Sequence, residues 1–399
     1  MKKNINNYII FYLFILIIFS YFYLYIKHTV GNDSTISEWL INYEGGFTKR
    51  GLIGQLAIFK SRFFDIDLRW SIYLLQCLSC TIYFLLLYLL IRNIETNRVI
   101  NLAIFTPIFI LYPIAEIEVL ARKEIIVFSL FIVYLLIPRI NKFKNLSLII
   151  FLILAILVWE PIIFFFPLIF IFEIIENNIN KIDKEFFKRI LFFIPSIIVA
   201  LNFIFNPLTI EEYENMSSVL KNEFGEICYM SCGLLSSKST ILQQFEGNFG
   251  KYSFEVFLRY FLIILFGFFP IFILLKNSYL ENKNLFFLKN FNNLVYPILF
   301  CFLPVILLFA MGYDWGRWVN VSYVMLALIY FYLYKKNTLK LNFQNLEKNF
   351  IYKLKGKIFI FFFIIYCFGW NPKTVITGDV ASFPGYRIPY KAVKILIND

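Results

Sequence analysis

The chain alternates long runs of apolar residues with short stretches rich in charged and polar residues. About 20 apolar residues are needed to cross a bilayer as a helix, and eleven stretches approach that pattern. We therefore predict an all-α, polytopic bundle of about eleven transmembrane helices (ten to twelve), with the N-terminus in the cytoplasm. The predicted spans are residues 8–26, 70–91, 99–114, 125–137, 146–158, 161–175, 190–206, 253–275, 294–311, 317–334 and 358–370.

The apolar stretch 146–175 is interrupted by the sequence VWEP, in which Pro161 disfavours helical geometry at Glu160. The flanking loops, 138–145 and 176–189, are both rich in Lys and Arg. Loops of that composition tend to remain in the cytoplasm. Both loops can lie there only if the stretch turns back on itself. The sequence therefore predicts a hairpin of two helices with Glu160 at its outer tip.

Composition explains the apolar runs. The chain is 60% hydrophobic and contains 51 Phe residues, which is more apolar surface than a soluble protein of 399 residues can bury. The predicted cytoplasmic segments, counted with Glu173, carry +14 and the rest of the chain −2, so the net charge of +12 does not indicate nucleic-acid binding. These segments are 1–7, 92–98, 138–145, 176–189, 276–293 and 335–357. We predict a single integral-membrane domain, residues 1–399, with outer segments at about 27–69, 207–252 and 371–399. The first apolar segment lacks a small-residue cleavage site, so we expect it to be retained.

Metal and nucleotide chemistry is not indicated by the sequence. His28 is the only histidine, the six cysteines lack zinc-like spacing, and there is no phosphate-binding loop. We expect no metal and no cofactor. Cys228 and Cys232 lie in a predicted outer loop and could form a disulfide if that compartment is oxidising.

Charged residues near membrane depth are costly and usually functional. The first candidate group lies in the outer sequence NYEGGFTKRGLIGQL, residues 42–56, which contains Glu44, Lys49 and Arg50. Two glycines permit close approach of the backbone to a ligand. Residues 51–64 are typical of an interfacial or re-entrant helix, whose N-terminus would form an anion site with the two cations. The alternative is a glycine turn with solvated charges.

Two further groups face the same side in this topology. In AEIEVLARKEIIVF, Glu118 and Arg122 are spaced as i,i+4 partners, with Lys123 and Glu124 beside them. A salt bridge at the start of a span is the alternative interpretation. Glu160, at the hairpin tip, would have a raised pKa if buried, unless a cation lies close.

The fourth group is MGYDWGRW, residues 311–318, where Asp314 and Arg317 lie three positions apart at the end of an apolar run. The aromatic side chains there are typical of an interfacial belt. They are equally suited to stacking on sugar rings. The aromatic candidates are Tyr313, Trp315 and Trp318.

Together these groups predict an outward-facing site of carboxylates and cations beneath an aromatic rim. Cations would hold a diphosphate, a carboxylate would deprotonate a sugar hydroxyl, and the diphosphate would leave with its charge stabilised. This is glycosyl transfer from a polyprenyl-diphosphate donor. The catalytic candidates are Glu44, Glu160 and Asp314; the diphosphate-binding candidates are Lys49, Arg50, Arg122, Lys123 and Arg317; Glu118 and Glu124 are supporting residues.

The stretch at 42–54, ARKE at 121–124, Glu160 and DWGRW at 314–318 resemble features of multispanning O-antigen or capsule repeat-unit polymerases of the Wzy type. The resemblance implies a multi-pass protein of the bacterial inner membrane that joins undecaprenyl-diphosphate-linked oligosaccharides on its outer face. It also implies important outer arginines, here Arg50, Arg122 and Arg317. The expected partners are the lipid-linked glycan, the bilayer and other polysaccharide assembly proteins, with no nucleic acid.

Two alternatives fit the same residues. One is a GT-C-type glycosyltransferase using a polyprenyl-phosphate sugar, in which Glu44 would be the acidic residue of the first outer loop. The other is a lipid-linked glycan flippase or transporter, which would favour charges along a path through the membrane. The predicted spans are nearly free of charge, which disfavours the transporter.

Overall fold

The computed structural model describes residues 5–28, 34–120, 122–138, 143–236, 241–282, 285, 291 and 293–377. The protein is mostly helical, as predicted. Its contacts define two compact units. The first comprises Met1–Arg92 and Ile117–Thr240, and the second comprises Asn93–Glu116 and Ile241–Asp399. A division by contacts is not a division into independently folding domains, so the single domain remains a prediction.

The first unit is built from helices alone among its described residues. Its α-helices are Ile5–His28, Ser34–Ser37, Gly51–Phe64, Leu68–Ile91, Ile117–Leu120, Glu124–Leu136, Phe143–Val158, Phe166–Glu176, Lys184–Leu191, Ile194–Phe205, Ile210–Phe224 and Met230–Gly233, and its 3-10 helices are Glu160–Phe165 and Leu234–Ser236. Local signals set several of these ends. Asp67 accepts hydrogen bonds from the backbone N–H groups of Arg69 and Trp70, and Thr209 and Glu212 form a capping box.

The second unit combines helices with one small sheet. Its helices are Arg98–Phe105, Tyr112–Ala115, Ile241–Phe249, Phe254–Lys276, Val295–Cys301, Ile306–Met311, Trp315–Lys335, Phe343–Glu347, Phe350–Lys353 and Gly356–Phe368. Strands Ser278–Leu280 and Leu339–Leu341 pair antiparallel, with Ser278 opposite Leu341. The second strand and the two short helices that follow it lie within residues 335–357.

Four helical segments of the described chain are long and apolar enough to cross a membrane: Asn7–His28, Leu68–Ile91, Lys184–Phe205 and Phe254–Lys276. They match four of the predicted spans, and they identify a membrane protein. Three shorter apolar helices, Glu124–Leu136, Phe143–Val158 and Gly356–Phe368, match three more. The helix Trp315–Lys335 matches the predicted span 317–334, but it is buried along nearly its whole length.

The predicted spans 99–114 and 294–311 are each interrupted by a non-helical segment, residues 106–111 and 302–305. Residues 99–114 form the helices Arg98–Phe105 and Tyr112–Ala115 with a turn between them, and residues 294–311 form Val295–Cys301 and Ile306–Met311. Proline explains both breaks, because Pro107 and Pro304 lie in the interrupting turns. The total of about eleven spans therefore remains a prediction.

The predicted hairpin is confirmed. The helix Phe143–Val158 ends before Trp159, and the chain returns through the 3-10 helix Glu160–Phe165 and the helix Phe166–Glu176. The two ends of the hairpin lie together, because the Nζ atom of Lys144 is 3.8 Å from Oε1 of Glu176. Glu160 is thus at the tip.

Candidate functional site

Arg50 and Glu160 form a bidentate ion pair at the hairpin tip. Nε and Nη2 of Arg50 donate to the two carboxylate oxygens of Glu160 at 2.7 and 2.8 Å. Arg50 has a φ of 61°, in the left-handed region that non-glycine residues rarely adopt, and it precedes the helix Gly51–Phe64. Such strain persists only where surrounding contacts impose it, and it is common at functional sites.

Glu38 is the centre of this group, and the sequence analysis did not identify it. Its Oε1 accepts hydrogen bonds from Nη1 of Arg122 at 2.7 Å and from Nη1 of Arg50 at 3.2 Å. The side chain is only 1% exposed. The available signal was an acidic residue followed directly by Trp39, Leu40 and Ile41 in a supposed outer loop. A carboxylate in so apolar a stretch is expected to be buried against a cation.

Lys123 is the fully buried amine of this group. Its Nζ donates to the backbone carbonyl oxygen of Arg50 at 2.6 Å, and the side chain is fully buried. The pKa of Lys123 is lowered to about 7, chiefly by burial and also by the nearby charge of Arg50, while Glu38 and Glu160 partly oppose the shift. Lys123 therefore titrates near neutral pH. Its hydrogen bond holds the strained backbone of Arg50 in place.

Glu160 is held in its ionised form. Burial raises the pKa of Glu160, but the charges of Arg50 and Lys49 and the hydrogen bonds from Arg50 outweigh that effect, so the pKa lies below its ordinary value. This agrees with the expectation that a nearby cation would prevent a raised pKa. The carboxylate is a weak base while Arg50 remains bound to it.

These five residues, Glu38, Arg50, Arg122, Lys123 and Glu160, are called the hairpin-tip cluster. With Lys123 protonated, they carry three positive and two negative charges. Arg50 and Glu160 are about one-fifth exposed, whereas Arg122 and Glu38 are buried. Lys49 is exposed next to Arg50 in the chain. The accessible part of the cluster thus consists of Arg50 and Glu160, with the cation Lys49 beside them. The other three residues are buried and hold this part in place.

The predicted i,i+4 arrangement of Glu118 and Arg122 is not formed by one helix. The short helix Ile117–Leu120 ends before Arg122, whose Nε donates to the backbone carbonyl of Glu118 at 3.0 Å. The guanidinium of Arg122 instead reaches Glu38. Glu118 is exposed, and Glu124 is buried at the start of the helix Glu124–Leu136.

Glu44 belongs to a different network in the first unit. Its carboxylate accepts hydrogen bonds from Arg62 at 2.9 Å and from Gln55 at 2.8 Å, and Arg62 also binds Glu223. The hydrogen bond from Arg62 lowers the pKa of Glu44. The glycine beside it has a packing role rather than a ligand-facing one, because a Cβ on Gly45 would lie 1.9 Å from the carbonyl oxygen of Glu212.

Residues 207–236 belong to the first unit, where an ion pair holds them to another helix and a disulfide closes a short loop within them. Cys228 and Cys232 are joined, which confirms the pairing that the sequence left open. Glu226, two residues before this bridge, pairs with Arg69. The backbone N–H of Ser231 contacts the hydroxyl of Ser37, the residue before Glu38.

Asp314 and Arg317 form a separate network in the second unit. Nη1 of Arg317 lies 3.1 Å from Oδ2 of Asp314, and its guanidinium lies 5.1 Å from the ring centroid of Trp318. Arg317 is 3% exposed, Trp315 5% and Trp318 7%. Trp315 donates to the carbonyl of Phe309 at 2.7 Å. These side chains could make the predicted contacts with a diphosphate or a sugar only if the surrounding residues moved to expose them.

The residues 371–377, called the tail strap, lie across the same motif. Ile376 N–H donates to the carbonyl of Tyr313 at 2.9 Å, and Gly316 N–H donates to that of Thr374 at 3.1 Å. A Cβ on Gly316 would lie 2.0 Å from a strap carbonyl, so glycine is required there. Buried Glu116 anchors the strap by accepting a hydrogen bond from Lys373 at 3.0 Å. Residues 378–399 lie outside the described part of the chain.

No family model, curated protein or solved structure matches this chain. Among the described residues, no three His, Cys, Asp or Glu side chains are grouped as metal ligands would be.

Proposed function

We propose that this protein is a membrane glycosyltransferase that polymerises undecaprenyl-diphosphate-linked oligosaccharide repeat units into a surface polysaccharide. The observation that carries the proposal is the hairpin-tip cluster, in which the guanidinium groups of Arg50 and Arg122 meet two carboxylates at the tip of the hairpin. Exposed Lys49 adds positive charge at its accessible face, which favours an anionic ligand. A diphosphate at a membrane surface is such a ligand.

The accessible residues suggest the order of events. A donor diphosphate competes with Glu160 for the guanidinium of Arg50 and gains a further cation in Lys49. Released from Arg50, Glu160 keeps its burial but loses the charge that lowered its pKa, so the pKa rises and the carboxylate becomes a better base. Arg122 and Lys123 keep Glu38 and the backbone of Arg50 in position.

The proposed reaction balances without a cofactor. The acceptor hydroxyl oxygen attacks the anomeric carbon of the donor, and the bond from that carbon to the diphosphate oxygen breaks. The hydroxyl proton passes to Glu160, and the polyprenyl diphosphate leaves with the bonding electron pair, stabilised by Arg50 and Lys49. The roles predicted for Glu44, Asp314, Arg317 and the aromatic residues of MGYDWGRW remain predictions.

The proposed location is the outer face of a bacterial inner membrane, with about eleven spans and a cytoplasmic N-terminus. Contacts between loops support this topology. Loops assigned to the cytoplasm contact one another: Arg98 donates to the carbonyls of Ile351 and Leu354, and Arg189 donates to the side chain of Asn145. The disulfide in loop 207–252 is typical of an oxidising compartment.

The second candidate is a GT-C-type transferase that adds one sugar from a polyprenyl-phosphate donor. Its support is the first outer loop, in which both Glu38 and Glu44 are acidic and each is engaged by arginine. The two candidates differ in the product, since a single-sugar transferase gives no polymer.

The test is the length of the surface glycan in cells carrying Arg50→Lys or Glu160→Gln. Lysine cannot form the bidentate contact, so we expect single repeat units on the lipid carrier with unchanged protein abundance. Glu223→Gln, which alters an exposed carboxylate of the same unit, is the matched control and should leave the polymer intact. Normal chain length in both site variants would refute the proposal. Truncated repeats would favour the GT-C-type transferase.

A further inference from the structure

A groove runs between the helices Phe254–Lys276 and Gly356–Phe368 of the second unit. It encloses about 360 Å³ and is lined by Leu262 and Phe266 on one side and by Phe362 and Ile365 on the other. The lining positions recur every three or four residues, so each helix contributes one face. Leu262, Phe266 and Ile365 are 40%, 55% and 51% exposed, so the groove is open along these side chains.

Proline shapes the groove. Pro270 lies inside the helix Phe254–Lys276 and has no N–H to donate to the carbonyl of Phe266. The hydroxyl of Tyr366, from the other helix, donates to that carbonyl at 2.8 Å. The backbone group that proline leaves unpaired is therefore satisfied from within the protein. The groove keeps a dry, apolar interior that suits a hydrocarbon chain better than a polar ligand.

One end of the groove is cationic. Arg259 lines it there, near the start of the helix Phe254–Lys276, together with Trp370. The adjacent residue, Tyr260, donates to the backbone carbonyl of Lys373 at 3.1 Å, so the tail strap passes beside this end. Arg259 itself donates to the carbonyl of Ile376 at 3.2 Å. An apolar groove that ends at an arginine and a tryptophan is complementary to a lipid with an anionic head.

We propose that this groove seats the polyprenyl chain of the acceptor lipid-linked glycan, with its lipid phosphate beside Arg259, whereas the donor diphosphate binds Arg50 and Lys49 as proposed above. The inference rests on the proposed function, because that function supplies a substrate of this chemistry. The span from Arg259 to Phe266 is seven residues, or about 10 Å of helix. A single groove fits the one hydrocarbon chain of a polyprenyl phosphate better than the two chains of a diacyl phospholipid.

The experiment uses the full-length protein in phosphatidylcholine nanodiscs and a polyprenyl phosphate with a photoreactive group in its first isoprene units. We expect cross-links in the segments 259–266 and 362–370. Undecaprenyl phosphate should compete at least tenfold better than phosphatidylglycerol. Leu262→Trp and Ile365→Trp, which fill the groove, should each lower labelling at least tenfold.

Matched controls lie on the opposite faces of the same helices. Phe261 and Ile364 are 62% and 53% exposed and do not line the groove. Phe261→Trp and Ile364→Trp should leave labelling unchanged. Arg259→Gln should weaken competition by undecaprenyl phosphate while retaining labelling by an uncharged polyprenol probe, a split that a folding defect would not produce.

Equal competition by phosphatidylglycerol would overturn the proposal and identify the groove as a phospholipid contact. Cross-links elsewhere in the wild-type protein would overturn it without relying on any variant. Its failure is distinguishable from failure of the proposed function. Polymer of normal length in groove-filling variants would reject the groove alone, whereas specific labelling in a protein whose deletion leaves glycan length unchanged would reject the polymerase alone.

Discussion

Replacing Glu38 with Gln should destabilise the first unit by about 3–5 kcal/mol, the usual cost of removing one partner from a buried ion pair. Glutamine keeps the shape and the acceptor oxygen, so the change removes mainly the charge. Glu38 is 1% exposed and bonds two guanidinium groups at 2.7 and 3.2 Å. A unit charge 4 Å away contributes about 4 kcal/mol at an effective dielectric constant near 20. An attraction of this size, reduced by the cost of removing the charges from water, is consistent with the predicted loss of about 3–5 kcal/mol.

The matched control is Glu223→Gln. Glu223 also pairs with arginine, at 2.6 Å from Arg62, but the two side chains are 40% and 41% exposed. Exposed pairs contribute about 0–1 kcal/mol because water and salt screen them. The two substitutions thus remove the same chemical group, and only burial distinguishes their expected costs.

The assay is the loss of folded protein in mixed micelles as the mole fraction of dodecyl sulfate rises, at pH 7.5. The double variant Glu38→Gln with Arg122→Met should recover part of the lost stability, because it removes a permanently charged cation left in excess. A coupling of about 0.5–3 kcal/mol is expected for residues in one network. Equal losses in Glu38→Gln and Glu223→Gln, or strictly additive effects in the double variant, would refute the reasoning.

Three further results are expected. The pKa of Lys123 in the folded protein is lowered to about 7 from an ordinary 10.5. Between these pH values the unfolded chain binds more protons than the folded protein, so the free energy of unfolding should rise with pH relative to that of Lys123→Met. Identical pH profiles for the two proteins would contradict this. Gly45→Ala should destabilise by about 1–3 kcal/mol through the clash with the carbonyl of Glu212, while Gly247→Ala, in a helix with open space, should be neutral or stabilising in the same unfolding assay. Joint replacement of Cys228 and Cys232 by Ser should lower the free energy of unfolding by about 2 kcal/mol, because the disulfide closes a loop of five residues. A membrane-impermeant maleimide should label the two cysteines of the wild-type protein from outside only after reduction. Labelling without reduction would contradict the pairing.

Periodicity and charge predicted much of the helical framework. The hairpin with Glu160 at its tip followed from Pro161 and from two basic loops, because an X-Pro break and the positive-inside rule act locally and can be read in sequence. The spans at 99–114 and 294–311 were drawn as continuous helices. Apolar composition there hid the interrupting turns, although Pro107 and Pro304 were visible signals.

It was much harder to predict which residues pair with one another than to predict which residues belong to the charged groups. The sequence identified Arg122 and paired it with Glu118, four residues away, but the structure pairs it with Glu38, 84 residues away in the chain. Local spacing restricts pairs only within a continuous helix, and the helix ends before Arg122. The glycine at position 45 was misread for the same reason, since its close neighbour is the helix Ile210–Phe224 and not a ligand.

The strained backbone of Arg50 connects these observations. A left-handed non-glycine residue costs about 1–2 kcal/mol, and the described contacts that oppose this cost are the bonds of its side chain to Glu38 and Glu160 and the bond of its carbonyl to Lys123. In the proposed reaction, the donor diphosphate displaces Glu160 from Arg50, and Glu38 and Lys123 are left to hold the arginine. In that proposal Glu38, a buried carboxylate that none of the sequence motifs includes, keeps Arg50 oriented while Glu160 acts as the base.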